Sequence, residues 1–426
     1  MMTTHSLPNP QNITRLQLDN GIVVLVYENF AAQSVVLTGS LRAGALYETP
    51  ARNGLAALTA NALLRGTQTR DFNTISSMLE DIAADLDVNG GTHRAGFGGK
   101  ALAEDLPVLI ELLADLLRQP AFPVGQVERL RGELLTGLQI RSQDTRYRAS
   151  RAFSEALYPV EHPYHYSARG SLNSVPNLTI DDMHAFHAAH YGPDGMIIVI
   201  VGAVKADDAI AIVRTWFEDW TNPAQPPAPE LPTLPALAQP QRAFVPLAGK
   251  TQSDLVLGNY GPSRYAPDYL AAVLANCVLG QFGMMGRIGA SVREELGLAY
   301  YAYSSLDGGM GPTPWSVVAG VNPANLDLAL EQIRNQLRRL VNEPVSAEDL
   351  SNVQSYFVGR LPLQLESNEG IAGSILSMEL YGLGLDYLVT YRDRIYALTQ
   401  DHLLNAARRY LNPDVYVLGI SGPETG

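Results

Sequence analysis

Leu178-Thr-Ile-Asp-Asp-Met-His-Ala-Phe-His-Ala-Ala-His-Tyr-Gly-Pro-Asp-Gly-Met-Ile-Ile-Val-Ile-Val-Gly202 decides the fold, because the chain says it twice. At a constant offset of 220, Leu398-Thr-Gln-Asp-His-Leu-Leu-Asn-Ala-Ala-Arg-Arg-Tyr-Leu-Asn-Pro-Asp-Val-Tyr-Val-Leu-Gly-Ile-Ser-Gly422 aligns with it without a gap. The first copy reads as a helix capped by Thr179, with Asp181 and Asp182 in its first turn and a stop near Gly192-Pro193. An apolar strand, Met196 to Val201, follows.

Working outward, Leu106, Glu111, Leu117 and Arg118 meet Leu326, Glu331, Leu337 and Arg338 at the same offset. At an offset of 215, Leu55-Ala-Ala-Leu-Thr-Ala-Asn61 meets Leu270-Ala-Ala-Val-Leu-Ala-Asn276. The chain is an internal duplication. Between the copies, Asn222 to Gln241 carries Pro223, Pro226, Pro227, Pro229, Pro232, Pro235 and Pro240, a composition that favours extended linker backbone. The expected organisation is residues 1–221, a proline-rich linker 222–241, and residues 242–426.

Within the first copy, apolar alternation from Leu16 to Val26 around Asp19-Asn20-Gly21 predicts a hairpin, since Asn-Gly accepts the positive φ of a tight turn. Helix-period runs follow at Gly54–Leu64, Phe72–Ala84, Leu102–Arg118 and Val127–Ser142. Hairpins plus helices able to cover one sheet face predict an α+β fold: two tandem homologous two-layer sandwich domains, mainly antiparallel sheet plus helices. With 30 basic against 43 acidic residues the net charge is −13, which disfavours nucleic acid as a partner. The single cysteine, Cys277, excludes an intrachain disulfide. Met1 to Asn12 has no apolar core of a secretory signal, and apolar runs are too short to span a bilayer. A soluble chain in the cytoplasm is the expectation.

Gly44, Tyr47-Glu48, Gly54-Leu-Ala56, Arg65-Gly66-Thr67 and His162-Pro163-Tyr164 resemble the pitrilysin/insulinase-type inverted zincins, which include the mitochondrial processing peptidases. So does the run Gly286-Arg287 to Arg293-Glu-Glu-Leu-Gly-Leu-Ala-Tyr300. The resemblance implies a clamshell of two similar domains around a peptide-binding chamber. It also implies His-x-x-Glu-His after Gly-Leu-Ala, with two imidazoles holding zinc and the Glu acting as general base. This chain has Ala57, Ala60 and Asn61 there. The third ligand, a Glu, is expected on the helix Val127–Ser142, where either Gly137 or Leu138 falls, and Glu133 lies about one turn too early. No metal is therefore expected in this chain.

His184, His187 and His190 are spaced by three and fan over a helix surface, so a polar helix face is the preferred reading over a metal site. His162 and His165 lie among prolines and tyrosines, where turn formation and packing account for them. Val292 to Leu296 reads as a helix end with Gly297 at the left-handed stop, and Leu298 to Leu306 as a strand. Family members use an Arg and a Tyr seven residues apart to hold substrate carbonyls, roles the resemblance gives to Arg293 and Tyr300. The glycine-rich stretch Asn89 to Lys100, with Gly90, Gly91 and Thr92, is not a phosphate loop. The resemblance makes it a peptide-binding strand, with a plain hairpin as the alternative.

The preferred function is the zinc-less subunit of a two-chain metallopeptidase. A homologous zinc-bearing subunit is the partner, a peptide the substrate, and pairing with itself the alternative for the isolated chain. A non-catalytic peptide-binding or scaffold homologue is the competing reading, and a self-sufficient peptidase with displaced zinc ligands a third.

Overall fold

The computed structural model describes residues 7–281, 283 and 286–424. Eleven strands are described: β1 (Ile13–Gln17), β2 (Val23–Glu28), β3 (Ser34–Leu41), β4 (Asp85–Gly90), β5 (Ala95–Leu102), β6 (Ile197–Gly202), β7 (Gln241–Pro246), β8 (Ser253–Tyr260), β9 (Ala299–Leu306), β10 (Pro314–Val321) and β11 (Val417–Gly422). They form two sheets, ordered β1-β2-β6-β3-β5-β4 and β7-β11-β8-β10-β9. Apart from the additional β1, the second order repeats the first. In both sheets one corresponding pair is parallel, β2 with β6 and β7 with β11, and the remaining corresponding pairs are antiparallel.

The quoted repeat folds as read. Helices Ile180–His190 and Gln400–Tyr410 sit 220 residues apart, as do β6 and β11. Both helices start in capping boxes, Thr179 with Asp182 and Thr399 with His402. The hairpin also forms: β1 pairs with β2, and Gly21 takes a φ of 94° in the turn.

The chain divides into two compact units that differ from the contiguous halves 1–221 and 242–426. The first comprises the chain to Leu138, Tyr166–Glu230 and Leu361–Thr390; the second comprises Gln139–His165, Leu231–Arg360 and the chain from Tyr391. The difference is a reciprocal exchange of helices. Helix Thr145–Leu157, encoded in the first copy, packs on β8 and β11 of the second sheet, and helix Asn368–Leu380, encoded in the second, packs on β3 and β6 of the first.

Both faces of each sheet are thereby covered. In the first unit one core packs Val24, Val26, Val35 and Leu37 against helices Leu55–Ala62, Leu106–Arg118, Ile180–His190 and Ala206–Phe217. On the opposite face Leu25, Val36, Val199 and Val201 meet Ile371, Ala372, Ile375 and Met378 of the exchanged helix. Every residue of β6 is buried, as a strand covered on both faces requires. In the second unit Phe153 and Leu157 cover Val256, Val318 and Val417 in the same way.

The proline-rich segment is attached to both units and is not a free spacer. Asn222 Nδ2 donates to the carbonyls of Ala188 and Tyr191 in the first unit, at 2.9 and 2.8 Å. Leu234 and Leu237 pack on the aromatic core of the second.

Candidate functional site

Helix Leu55–Ala62 begins at Gly54, whose φ of 96° favours glycine. A Cβ at Gly54 would lie 2.7 Å from Gly170 Cα, a second reason for that residue. The orphan amides of the first turn go to Glu48: its carboxyl accepts from Gly54 N at 2.9 Å and Ala56 N at 2.5 Å, with Asn53 Nδ2 at 3.4 Å. Burial pushes this carboxyl up to about 7, outweighing the amide bonds that favour the anion. Sequence reasoning had Glu48 only as part of a motif; the acid six residues before a helix-opening Gly-Leu-Ala was the available signal.

Ala57 and Ala60 are buried on this helix and Asn61 is half-buried. Methyl groups have no lone pairs to offer, so a zinc ion has no ligands at 57 and no general base at 60. Gly137 is half-buried with open space where a side chain would stand, and Leu138 lies in the core. Glu133 is held by Arg65 at 3.0 Å and Arg129 at 3.2 Å. The residues present do not fit a zinc ion here. Among the described residues no group of three or more His, Cys, Asp or Glu could hold a metal.

The duplicated helix, Tyr269–Gly280, explains what stands there instead. Ala57, Ala60 and Asn61 correspond to Ala272, Ala275 and Asn276, so both copies carry Ala-x-x-Ala-Asn. In the second unit this set is structural: the two alanines are buried, and Asn276 Oδ1 accepts from Trp315 Nε1 at 2.9 Å.

The three spaced histidines are engaged with backbone and aromatic rings, and His184 and His187 both meet Phe122 edge-on. His187 Nε2 bonds the Leu117 carbonyl at 2.8 Å, His184 meets Phe122 edge-on, and His190 packs between Tyr47 and Phe186. Burial lowers the pKa of His187 and His190. His162 is buried between Tyr158 and Tyr164; its Nδ1 accepts from Tyr164 N at 3.1 Å, and burial lowers its pKa too. His165 Nδ1 bonds the Tyr158 carbonyl at 2.8 Å.

Gly90 closes β4 and packs on helix Leu55–Ala62, where a Cβ would lie 2.5 Å from Ala57 Cα. The carbonyls of Gly91 and Thr92 already accept from Ala45 N and Leu46 N, and Gly91 N donates to the Arg94 carbonyl. These bonds tie the Gly91 and Thr92 carbonyls to the segment Ala45–Leu46. The sheet edge runs instead along Asp85–Gly90.

In the second unit the expected helix end is a short α-helical turn, Gly286–Ile288, widening into a π-helical turn, Gly289–Glu295. Gly297 takes a φ of 58°, and Leu298 N closes the end on the Val292 carbonyl at 2.9 Å. Arg293 is half-exposed, with Nε 3.5 Å from Glu294 Oε1. Tyr300 is 64 % exposed on edge strand β9. The register gives the reason: Val321 faces Ala299 and Gly320 faces Tyr301, so Tyr300 is the extra residue of a β-bulge. Bulges re-aim side chains, and the sequence had no signal for this one.

The geometry comprises two related sheets, a Gly-capped helix carrying Ala57, Ala60 and Asn61, and a half-exposed Arg293 and exposed Tyr300 on either side of a left-handed Gly297. The family description "Insulinase (Peptidase family M16)" matches residues 23–160, and "Peptidase M16 inactive domain" matches residues 177–357. The chain belongs to peptidase family M16. It is 25% identical to an uncharacterized zinc protease of Streptomyces coelicolor, over 96% of this chain and 89% of that one. It is 21% identical to the mitochondrial-processing peptidase subunit beta of Saccharomyces cerevisiae, over 84% and 80%. The crystal structure of a peptidase M16 inactive domain from Pseudomonas fluorescens superposes with a TM-score of 0.88 at 25% identity, covering 97% of this chain and 99% of that one. Among the described residues no helix is long and apolar enough to cross a membrane.

Proposed function

We propose that this chain is the zinc-less subunit of a two-chain M16 peptidase, closing a peptide-binding chamber and supplying Arg293 and Tyr300 to the site of a homologous zinc-bearing partner. The observation that carries this reading is Tyr300, an exposed phenol set on a bulge close after the half-exposed Arg293, in a chain whose own motif positions are Ala57, Ala60 and Asn61. A guanidinium and a phenol fixed on a folded scaffold donate hydrogen bonds to a substrate carbonyl and to the negative charge that develops on it. The likeness to a processing-peptidase subunit supports the pairing. Peptide is expected along the β4 edge as an added strand, sequence-tolerant because the bonds are made by backbone.

The test is hydrolysis of a quenched fluorescent peptide by the chain alone and mixed with a zinc-bearing M16 homologue from the same organism. The chain alone is expected to be inactive and the mixture active. Arg293→Ala should lower kcat/KM of the mixture by about a hundredfold, the usual effect of removing one such donor. An Arg293→Ala mixture with full activity, or stoichiometric zinc and hydrolysis in the chain alone, refutes the reading. A mixture no more active than the homologue by itself would favour the non-catalytic peptide-binding or scaffold alternative.

A further inference from the structure

The two sheets share their register up to one position. Asp254 of β8 faces Gly320 of β10 and Ser421 of β11, whereas in the first sheet Val36 holds that place, facing Lys100 and Val201. Asp254 is 1 % exposed. A carboxyl buried where the duplicate keeps a valine costs desolvation that hydrogen bonds at best offset, so stability alone does not explain it. It accepts from the Tyr301 hydroxyl, from Thr145 Oγ1 and from Gln252 Nε2, the last at 2.9 Å. Thr145 and Arg146 open the exchanged helix. The Arg146 guanidinium lies 5.1 and 5.3 Å from the rings of Tyr301 and Tyr303 and donates to the Tyr303 hydroxyl.

Gly320 makes room for this arrangement, since a Cβ there would come within 2.5 Å of both the Tyr301 ring and Gln252 Nε2. By register Tyr301 corresponds to Asp85, which faces Lys100. Strand β4 begins at Asp85, so Ala299, Tyr300 and the bulge have no counterpart in the first sheet. The duplicates therefore diverge together at the buried carboxyl, the glycine opposite it and the bulge.

We propose that Asp254, through Tyr301 and the helix start Thr145-Arg146, is a positioning set that fixes the bulge and aims Tyr300. The proposal rests on the role given to Tyr300 above. Its test compares Asp254→Val, the residue of the first sheet, with Tyr301→Phe, which keeps the ring and the fold, and with Asp254→Asn, which keeps an acceptor. Hydrogen exchange is read on the peptide 299–306 of the chain alone, and kcat and KM in the mixture with the zinc-bearing homologue. Asp254→Val and Tyr301→Phe should speed exchange at Tyr300 to Tyr303 by about tenfold, as expected for a lost buried hydrogen bond, and lower kcat with KM little changed. Asp254→Asn should restore both. Unchanged exchange in Asp254→Val and Tyr301→Phe overturns the positioning set, even if Tyr300→Phe lowers kcat. Faster exchange together with a Tyr300→Phe mixture of full activity leaves the positioning of the bulge standing and overturns the role of Tyr300 instead.

Discussion

Glu48→Gln isolates a titration that the fold builds into the start of helix Leu55–Ala62. In the native chain the Glu48 carboxyl titrates at about 7 against an ordinary value of 4.5, with burial as the main cause. A folded-state value above the unfolded one means that folding takes up a proton. The contribution of this group to stability is therefore fully present below pH 4.5 and is lost as pH rises through about 7. At about 1.4 kcal/mol per pH unit, the loss between pH 5 and pH 8 is about 2.5 kcal/mol. Glutamine keeps an acceptor for Gly54 N or Ala56 N and does not titrate. Urea unfolding of both proteins, followed by circular dichroism across that range, should show the wild type losing about 2.5 kcal/mol relative to Glu48→Gln. Parallel profiles, agreeing to within about 0.5 kcal/mol at every pH, would show that the amides of Gly54 and Ala56 hold Glu48 ionised and that burial does not govern it.

Asn276→Ala should cost about 1–3 kcal/mol in urea unfolding, because it leaves the buried Trp315 Nε1 without its acceptor. The corresponding Asn61→Ala, at a half-buried position, should fall within about 0.5 kcal/mol of wild type; equal losses would contradict the structural role assigned to Asn276. His162 titrates with the opposite sign to Glu48. Its pKa is lowered by burial, so stability is full above 6.5 and lost as pH falls below that value. His162→Phe should flatten this acid limb in Tm measured from pH 7 to pH 5, and a limb of unchanged slope would assign the loss to other groups.

The duplication was legible because capping and periodicity are local. Thr179 and Thr399 announce their helices through a side chain that reaches three residues on, and β6 and β11 follow at a fixed distance. Ala57, Ala60 and Asn61 were legible for the same reason, as residue types at a fixed spacing after Gly54-Leu-Ala. The exchanged helices were not. Apolar residues in Thr145–Leu157 and Asn368–Leu380 say that each helix covers something, but the two sheets offer similar faces, and no periodicity distinguishes Val36 and Val199 from Val256 and Val417 as the surface to be covered. The bulge at Tyr300 was equally silent, since it depends on which residues of β10 face β9. The bonds from Ala45 N and Leu46 N to the Gly91 and Thr92 carbonyls were likewise silent, because they join segments more than forty residues apart.

Helix exchange also sets the order in which a growing chain can finish its parts. The first sheet has all six strands by Gly202, but the helix that shields its second face ends at Leu380. At ribosomal speeds of about 5–20 residues per second, Leu25, Val36, Val199 and Val201 stay bare for roughly nine to thirty-six seconds after the last strand of the sheet, β6, has been made. A nascent chain of this design is obliged to be sticky for longer than the strands themselves would require, and its first unit matures only after Leu380 has been made.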